Sequence, residues 1–232
     1  MNEWQQRREI VEISKKAYDR GLVTATDGNI SVRVMGDRFL ITPSGSCLGE
    51  LKPEQLVYVD FDGKVLSGGK PTGELSMHLA AFRERTDINA VLHAHPPITT
   101  GFTIAGESLA QCVIPEVVMI FGTIPTTEYA TISTEEGAQV IKKLIKNHDA
   151  IILDRHGTIT VGKNLLDAYR KLEKVEYCAQ VTLAARQLGR IQTLSAEQIK
   201  KLDAVRKQYG YEGQASLCEQ CGICTSCNKT DY

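Results

Sequence analysis

An excess of charge of either sign is missing from this 232-residue chain: 27 Lys and Arg face 28 Asp and Glu, a formal net charge of −1. The basic residues are dispersed, which excludes nucleic acid and an anionic membrane surface as expected partners. No apolar run approaches the length of a membrane-crossing helix. The first residues, Met1-Asn2-Glu3-Trp4-Gln5-Gln6-Arg7-Arg8-Glu9, lack the apolar core of a signal peptide, so the expected location is cytoplasmic. No Gly-x-Gly-x-x-Gly follows a strand-like segment, no phosphate-loop Gly-Lys-Ser/Thr motif occurs and no internal repeat is evident. Those absences exclude the doubly wound dinucleotide folds and the P-loop folds. What remains, 42% hydrophobic and 24% charged residues, is the composition of one large globular domain.

Cysteine is distributed in two ways. Cys47, Cys112 and Cys178 sit singly in apolar or mixed segments. Cys218, Cys221, Cys224 and Cys227 form a regular Cys-x-x-Cys ladder near the end of the chain. In a reducing compartment such spacing points to metal or redox chemistry rather than disulfides, and four thiols this close suit Zn²⁺ or an iron–sulfur cluster. The segment also differs in composition from what precedes it. The expected organisation is therefore a catalytic domain over 1–210 and a Cys-rich tail over 211–232.

Periodicity predicts an opening amphipathic helix ending near Gly21, then strands at 30–34, 38–42 and 56–61, with Asp62-Gly63 turning into 65–66. A helix is expected over 74–85 and a strand over 90–95. The apolar run 112–120 reads as a strand in part. Ser133 with Glu136 predicts a capping box for a helix through Lys146, and Ser195 with Gln198 predicts another reaching about Lys207. Short strands at 150–153 and 158–161 flank a turn, and Asn164 caps a helix closed by Gly189. Irregular alternation with hairpins argues for α/β architecture around a mixed, mainly antiparallel sheet.

The chemistry concentrates at histidine. His93 and His95 close the run Ala90-Val91-Leu92-His93-Ala94-His95 and are followed by Pro96-Pro97. With a side-chain period of two, both imidazoles leave one face at a strand end. Imidazole pairs suit zinc and other borderline divalent metals, and His156, in the turn Asp154-Arg155-His156-Gly157, is placed to complete the set. Glu74 and His78 share a helix face one turn apart; they suit a metal pair or, the stronger reading, packing around His78. His148 reads as a solvated helix end. Three polar loops, Thr26-Asp27-Gly28-Asn29, Pro43-Ser44-Gly45-Ser46 and Lys70-Pro71-Thr72-Gly73-Glu74, expose hydroxyls and backbone N–H groups. The last opens a helix, where the free N–H groups favour an anion. Singly they are turns and caps; meeting in space they would bind a phosphate.

Five motifs, Thr26-x-Gly28-Asn29, Thr42-Pro43-Ser44-Gly45, Pro71-Thr72-Gly73-Glu74, His93-x-His95 and His156-Gly157, occur here in order and in register. In them the chain resembles the class II aldolase/epimerase superfamily, most nearly its L-fuculose-1-phosphate aldolase branch, from about Arg7 to Leu188. The resemblance implies a three-layer α/β/α sandwich, a homotetramer and an active site near a subunit interface. It implies a Zn²⁺ site, with Mn²⁺ or Co²⁺ as alternatives, formed by His93, His95, His156 and, without substrate, Glu74. It also implies a phosphate pocket from Thr26, Asn29, Ser44, Gly45, Thr72 and Gly73. The reaction implied is cleavage of a ketose 1-phosphate to dihydroxyacetone phosphate and an aldehyde through a metal-stabilised enediolate, with Glu74 as base.

Two positions depart from that pattern. Thr72-Gly73 has one side-chain hydroxyl where the family often has two. The segment Ile114-Pro115-Glu116-Val117-Val118-Met119 has no tyrosine where the fuculose enzymes carry one that serves a neighbouring subunit, which suggests a less polar aldehyde. A 5-deoxy- or 5-methylthio-pentulose 1-phosphate fits that suggestion, with Tyr209 or Tyr211 as a substitute proton donor. The pentulose-phosphate 4-epimerases resemble the chain but carry aspartate at the place of Glu74. The methylthioribulose-phosphate dehydratases share its histidines. A catalytically silent binding module of the same fold would be expected to have lost the ligand set, which is complete here.

Overall fold

A computed structural model describes residues 2–34, 37–209 and 211. Helix α1 (Glu3–Asp19) starts in a capping box between Asn2 and Gln5. Strands β1 (Asn29–Val34), β2 (Arg38–Ile41), β3 (Val57–Asp60) and β4 (Val65–Ser67) follow. Helix α2 (Leu75–Glu84) leads into β5 (Ala90–Ala94), which is succeeded by helices α3 (Pro97–Ile104), α4 (Pro115–Phe121) and α5 (Glu135–Ile145). The hairpin of β6 (Ala150–Leu153) and β7 (Gly157–Gly162) precedes α6 (Leu165–Leu188) and α7 (Ala196–Gln208).

The strands form one sheet in the order β4-β3-β2-β1-β5-β7-β6. Every pairing between these strands is antiparallel. The expected mixed character reduces to a single isolated parallel bridge between Thr126 and Ile152. Hairpins impose antiparallel sense at both ends of the sheet, and β5 enters between β1 and β7 running against both.

Alternation along the strands divides the core in two. Ile30, Val32, Leu40, Leu92 and Ala94 pack on Ile10, Ile13 and Ala17 of α1 and on Leu165 and Leu172 of α6. Phe39, Ile41, Val59, Val91, Ile159 and Val161 face the other way, onto Met77 and Phe82 of α2 and Ile141 and Ile145 of α5. The result is the three-layer sandwich that the resemblance implies. At the β6 end, Phe102, Val117, Phe121 and Ile152 meet Val175 and Ala179 of α6.

Several local expectations are corrected. The run 112–120 forms helix α4 instead of a strand: Pro115 takes the first helical turn, and Val117, Val118 and Phe121 are buried. Burial of that face outweighs the β preference of its valines and isoleucine. Helix α5 is capped by Thr134, whose hydroxyl accepts from the Glu136 N–H at 3.2 Å, while Ser133 stands before it at φ +57°. Helix α3 starts at Pro97 because the buried Glu176 carboxylate of α6 accepts from the N–H groups of Ile98 (3.0 Å) and Thr99 (2.9 Å) and from the Thr99 hydroxyl (2.7 Å). His148 is buried, its Nδ1 donating to the Leu144 carbonyl at 2.9 Å. Cys178 is a buried free thiol, Cys47 a half-buried one, and Cys112 is buried. Cys218, Cys221, Cys224 and Cys227 lie outside the described residues.

The Asn164 side chain accepts from the Asp167 N–H at 2.9 Å and so caps the 24-residue α6, which packs in the α1 half of the core and in the cluster at the β6 end. Asn164→Ala is expected to cost about 1 kcal/mol. In a chain of this size that lowers Tm by about 2–4 °C, measurable by calorimetry.

Candidate metal centre

The pleat of β5 puts His93 on the α2 side of the sheet with Val91, and His95 stands one residue past the strand end. The backbone N–H of His95 donates to the Leu22 carbonyl at 3.0 Å, fixing where the chain leaves the sheet. His156 comes from the turn between β6 and β7. There Arg155 adopts φ +55° and donates its N–H to Thr103 Oγ1 at 2.9 Å. The next residue must be glycine: a Cβ at Gly157 would lie 2.3 Å from the Ala94 carbonyl oxygen and 2.9 Å from His95 Cδ2. These three approaches bring the imidazole centroids of His93, His95 and His156 to 4.7–4.8 Å from one another. One nitrogen from each lies within 4.8 Å of the others.

Hydrogen bonds decide where the protons sit. The Thr158 carbonyl only accepts, so His93 Nδ1, 3.1 Å away, carries its proton and Nε2 is left with a lone pair. His95 Nδ1 lies 3.5 Å from Asp27 Oδ2, so its Nε2 is likewise the free acceptor. Burial pushes His93 well below the ordinary imidazole pKa, and burial together with His156 lowers His95. Two neutral imidazoles thus aim Nε2 lone pairs at each other across 2.9 Å.

Glu74, the N-cap residue of α2, adds a carboxylate to the same point. Its Oε2 lies 3.3 Å from His93 Nε2 and its Oε1 3.2 Å from His156 Nε2. Burial alone would raise its pKa. His93, the hydrogen bonds with His156 and Asn29 and the charge on His156 outweigh burial and hold it below the ordinary carboxylate value. Lone pairs of imidazole and carboxylate converging on one small volume are mutually repulsive unless a cation lies among them. The donor set, three nitrogens and a carboxylate oxygen, is one that zinc and its divalent neighbours accept. The residues therefore fit the metal that the resemblance implies. A narrow cleft opens beside Glu74 and His156, lined by Met77, Thr127, Ala130, Ile132 and Leu153 among others.

The three polar loops are partly united. Thr72 N–H donates to the Thr42 carbonyl (3.1 Å) and Ser44 N–H to the Lys70 carbonyl (3.0 Å), so the second and third loops form one wall with Ser44, Gly45 and Gly73 exposed. Thr72 is buried and its hydroxyl accepts from the Glu74 N–H at 3.3 Å. Thr26 is exposed in the turn before β1. The Asn29 amide is engaged with neighbours, Nδ2 donating to Glu74 Oε2 at 2.8 Å and Oδ1 accepting from His78 Nε2. His78 itself is fully buried and satisfied, as the packing reading required. Tyr209 and Tyr211 are exposed at the end of α7.

Sequence reading missed three contributors. Asp27, beside His95, was legible as an acid just ahead of Gly28-Asn29. The Thr158 carbonyl, a backbone group, left no signal. Ser133 does answer the missing hydroxyl at Gly73, since a Cβ there would sit 3.0 Å from Ser133 Oγ, but its loop is remote in sequence.

A family model described as class II aldolase and adducin N-terminal domain matches residues 8–183. The chain is 37% identical to the L-fuculose phosphate aldolase of Methanocaldococcus jannaschii over 177 residues, 76% of this chain and 95% of that one. It is 33% identical to the 5-deoxy-D-ribulose 1-phosphate aldolase of Bacillus thuringiensis serovar kurstaki over 211 residues, covering 89% and 98% of the two chains. The 3-oxo-tetronate 4-phosphate decarboxylase of Escherichia coli K12 is 32% identical over 179 residues, 75% of this chain and 84% of that one. Among solved structures, an L-fuculose 1-phosphate aldolase superimposes with a TM-score of 0.82 at 30% identity, covering 89% of this chain and 96% of its own.

Gly157→Ala is expected to destabilise the fold by about 2 kcal/mol or more, because the intruding atom meets backbone. The same change should lower bound metal per chain, read by atomic emission. Burial holds His78 down to about 4. A depressed folded pKa gives stability that is present above the unfolded value of about 6.5 and lost as pH falls toward 4. Denaturant melts between pH 7 and pH 4 should show a loss of about 3 kcal/mol that His78→Gln lacks.

Proposed function

This chain is an enzyme of the class II aldolase family, and we propose that it cleaves a 5-deoxy-ketose 1-phosphate to dihydroxyacetone phosphate and a small aldehyde. The observation that carries the reading is the convergence of three imidazoles and a carboxylate on one point beside a wall of exposed polar loop residues. His93, His95 and His156 would hold a divalent cation, with Glu74 completing the set before substrate arrives. When bound, that cation supplies Lewis-acid polarisation of the substrate's carbonyl and hydroxyl oxygens.

The chain's own groups supply the rest. The Ser44 hydroxyl and the backbone of Gly45 and Gly73, with Thr72, Ser133 and the start of α2, bind the phosphate dianion. Binding there sets the carbon next to the carbonyl beside Glu74. In the direction of synthesis, the Glu74 carboxylate takes a proton from that carbon; the carbon's electron pair then forms the bond to the aldehyde carbon while the aldehyde's π pair moves to its oxygen, which takes a proton from Tyr209, Tyr211 or water. Cleavage reverses the order, with Glu74 returning the proton. A partly apolar cleft, with Met77, Ala130, Ile132 and Leu153 on its wall, suits an aldehyde short of hydroxyls, and the relative acting on 5-deoxy-D-ribulose 1-phosphate supports that substrate class.

Further parts of the same reading are a homotetramer with the active site near a subunit interface and a cytoplasmic location. A catalytic unit over 1–210 is joined in it to a separate segment, 211–232. Cys218, Cys221, Cys224 and Cys227 in that segment form a second, non-catalytic zinc or iron–sulfur site. Replacing all four with serine should lower bound metal per chain and leave cleavage unchanged.

A second reading follows from the decarboxylase relative. Loss of CO₂ from a 3-oxo acid phosphate would leave the same carbon nucleophile in the same place, so the two activities need the same groups.

Dihydroxyacetone phosphate in D₂O distinguishes the readings. The metal-loaded enzyme should exchange one carbon-bound proton, followed by NMR, and lose that exchange on chelation. Glu74→Gln should still bind phosphate and lose exchange by about 10²-fold or more. Exchange without cleavage of 5-deoxy-ribulose 1-phosphate, together with CO₂ release from a 3-oxo acid phosphate, would favour the decarboxylase. No exchange with metal present at the histidines would overturn both.

A further inference from the structure

Behind Glu74 runs a line of polar groups that the reaction itself does not use. Ser31 on β1, His78 on α2 and Asn29 at the start of β1 are each buried, Ser31 and His78 almost completely. Polar groups in such a place cost stability unless satisfied, and these are satisfied by one another. His78 Nδ1 lies 2.6 Å from Ser31 Oγ, His78 Nε2 contacts Asn29 Oδ1, and Asn29 Nδ2 reaches Glu74 Oε2 at 2.8 Å.

The direction of every hydrogen bond in this line is determined. An ionised carboxylate only accepts, so the nitrogen of the Asn29 amide must face Glu74 and its oxygen must face His78. His78 Nε2 therefore donates and carries the ring proton, and Nδ1 is left to accept from the Ser31 hydroxyl. Read from the far end, a neutral imidazole protonated at Nε2 refuses the Asn29 NH₂ group and fixes the amide in one of its two orientations. Turned over, the amide would present oxygen to the carboxylate of Glu74, acceptor against acceptor.

We propose that Ser31 and His78 are positioning residues which, through the Asn29 amide, hold the Glu74 carboxylate aimed at the substrate carbon. Their side chains make no hydrogen bond to the histidine cluster and reach the Glu74 carboxylate through Asn29. The proposal rests on Glu74 being the proton-transferring group, and deepens that reading.

The test uses full-length, metal-loaded protein and three variants. His78→Leu removes both ring nitrogens and should lower kcat for proton exchange at dihydroxyacetone phosphate by about 10–100-fold, with KM and metal content little changed. His78→Gln restores an acceptor for Ser31 and a donor for Asn29 and should recover most of that loss. Ser31→Ala should lower kcat in the same direction by a smaller factor. Nitrogen-15 NMR of the imidazoles, with His78 assigned through the glutamine variant, should show its proton on Nε2.

The proposal is overturned if folded His78→Leu keeps full kcat, or if His78→Gln is as slow as the leucine variant. It is also overturned if the loss tracks lost metal, or if the ring proton is found on Nδ1. The NMR result does not depend on turnover. A wild-type enzyme with metal, the expected tautomer and no exchange would sink the functional reading while leaving the arrangement of the line established.

Discussion

The contact between the Gly157 backbone and the Ala94 carbonyl sets the distance at which the β6–β7 turn meets the end of β5, and the metal centre is a product of that distance. With any side chain at 157 the turn would have to retreat, carrying His156 away from His93 and His95. The pairing of β5 with β7 holds the two segments in register, His93 opposite Ile159 and Ala94 opposite Thr158. It also delivers the Thr158 carbonyl to His93 Nδ1. Thus the ladder that builds the sheet also orients a ligand, and no separate device is needed.

Electrostatically the centre combines opposite tendencies. Burial favours neutral imidazoles, which are the form that binds a cation, while Glu74 stays ionised in the same surroundings. The difference comes from donors: His93 gives its proton away from the centre to a carbonyl, whereas Glu74 receives Asn29 and stands at the N-terminal end of α2, where the helix favours a negative charge. The carboxylate brings a negative charge to the site before a cation enters. That charge is held on the groups that surround the cation, so binding it neutralises rather than overloads the interior.

Much of this was legible in the sequence because it rests on local rules. His93-x-His95 before Pro96-Pro97, the Asn164 and Ser195 caps and the Asp62-Gly63 hairpin all depend on neighbours within a few residues. What was illegible depends on distant partners. Helix α3 follows two prolines and owes its start to Glu176, which is far along the chain. Helix α4 contains valines and isoleucine in strand-like numbers and is decided by burial against α6 and α7. Asn29 was read with the phosphate loops because its motif lies there; only the fold shows His78 behind it. The Ser133 hydroxyl at Gly73 could not be foreseen from either segment.

The order of strands has a temporal consequence. β1 pairs with β5, and β5 with β7, so the centre of the sheet joins segments separated by long stretches of chain, while the outer hairpins are local. Closing such loops is slow relative to forming hairpins and helices. His93 and His95 come with β5, His156 with the turn before β7 and Glu74 with the start of α2, so a partly folded chain presents scattered imidazoles and no chelate. Assembly of the candidate chelate then belongs to the last stage of folding.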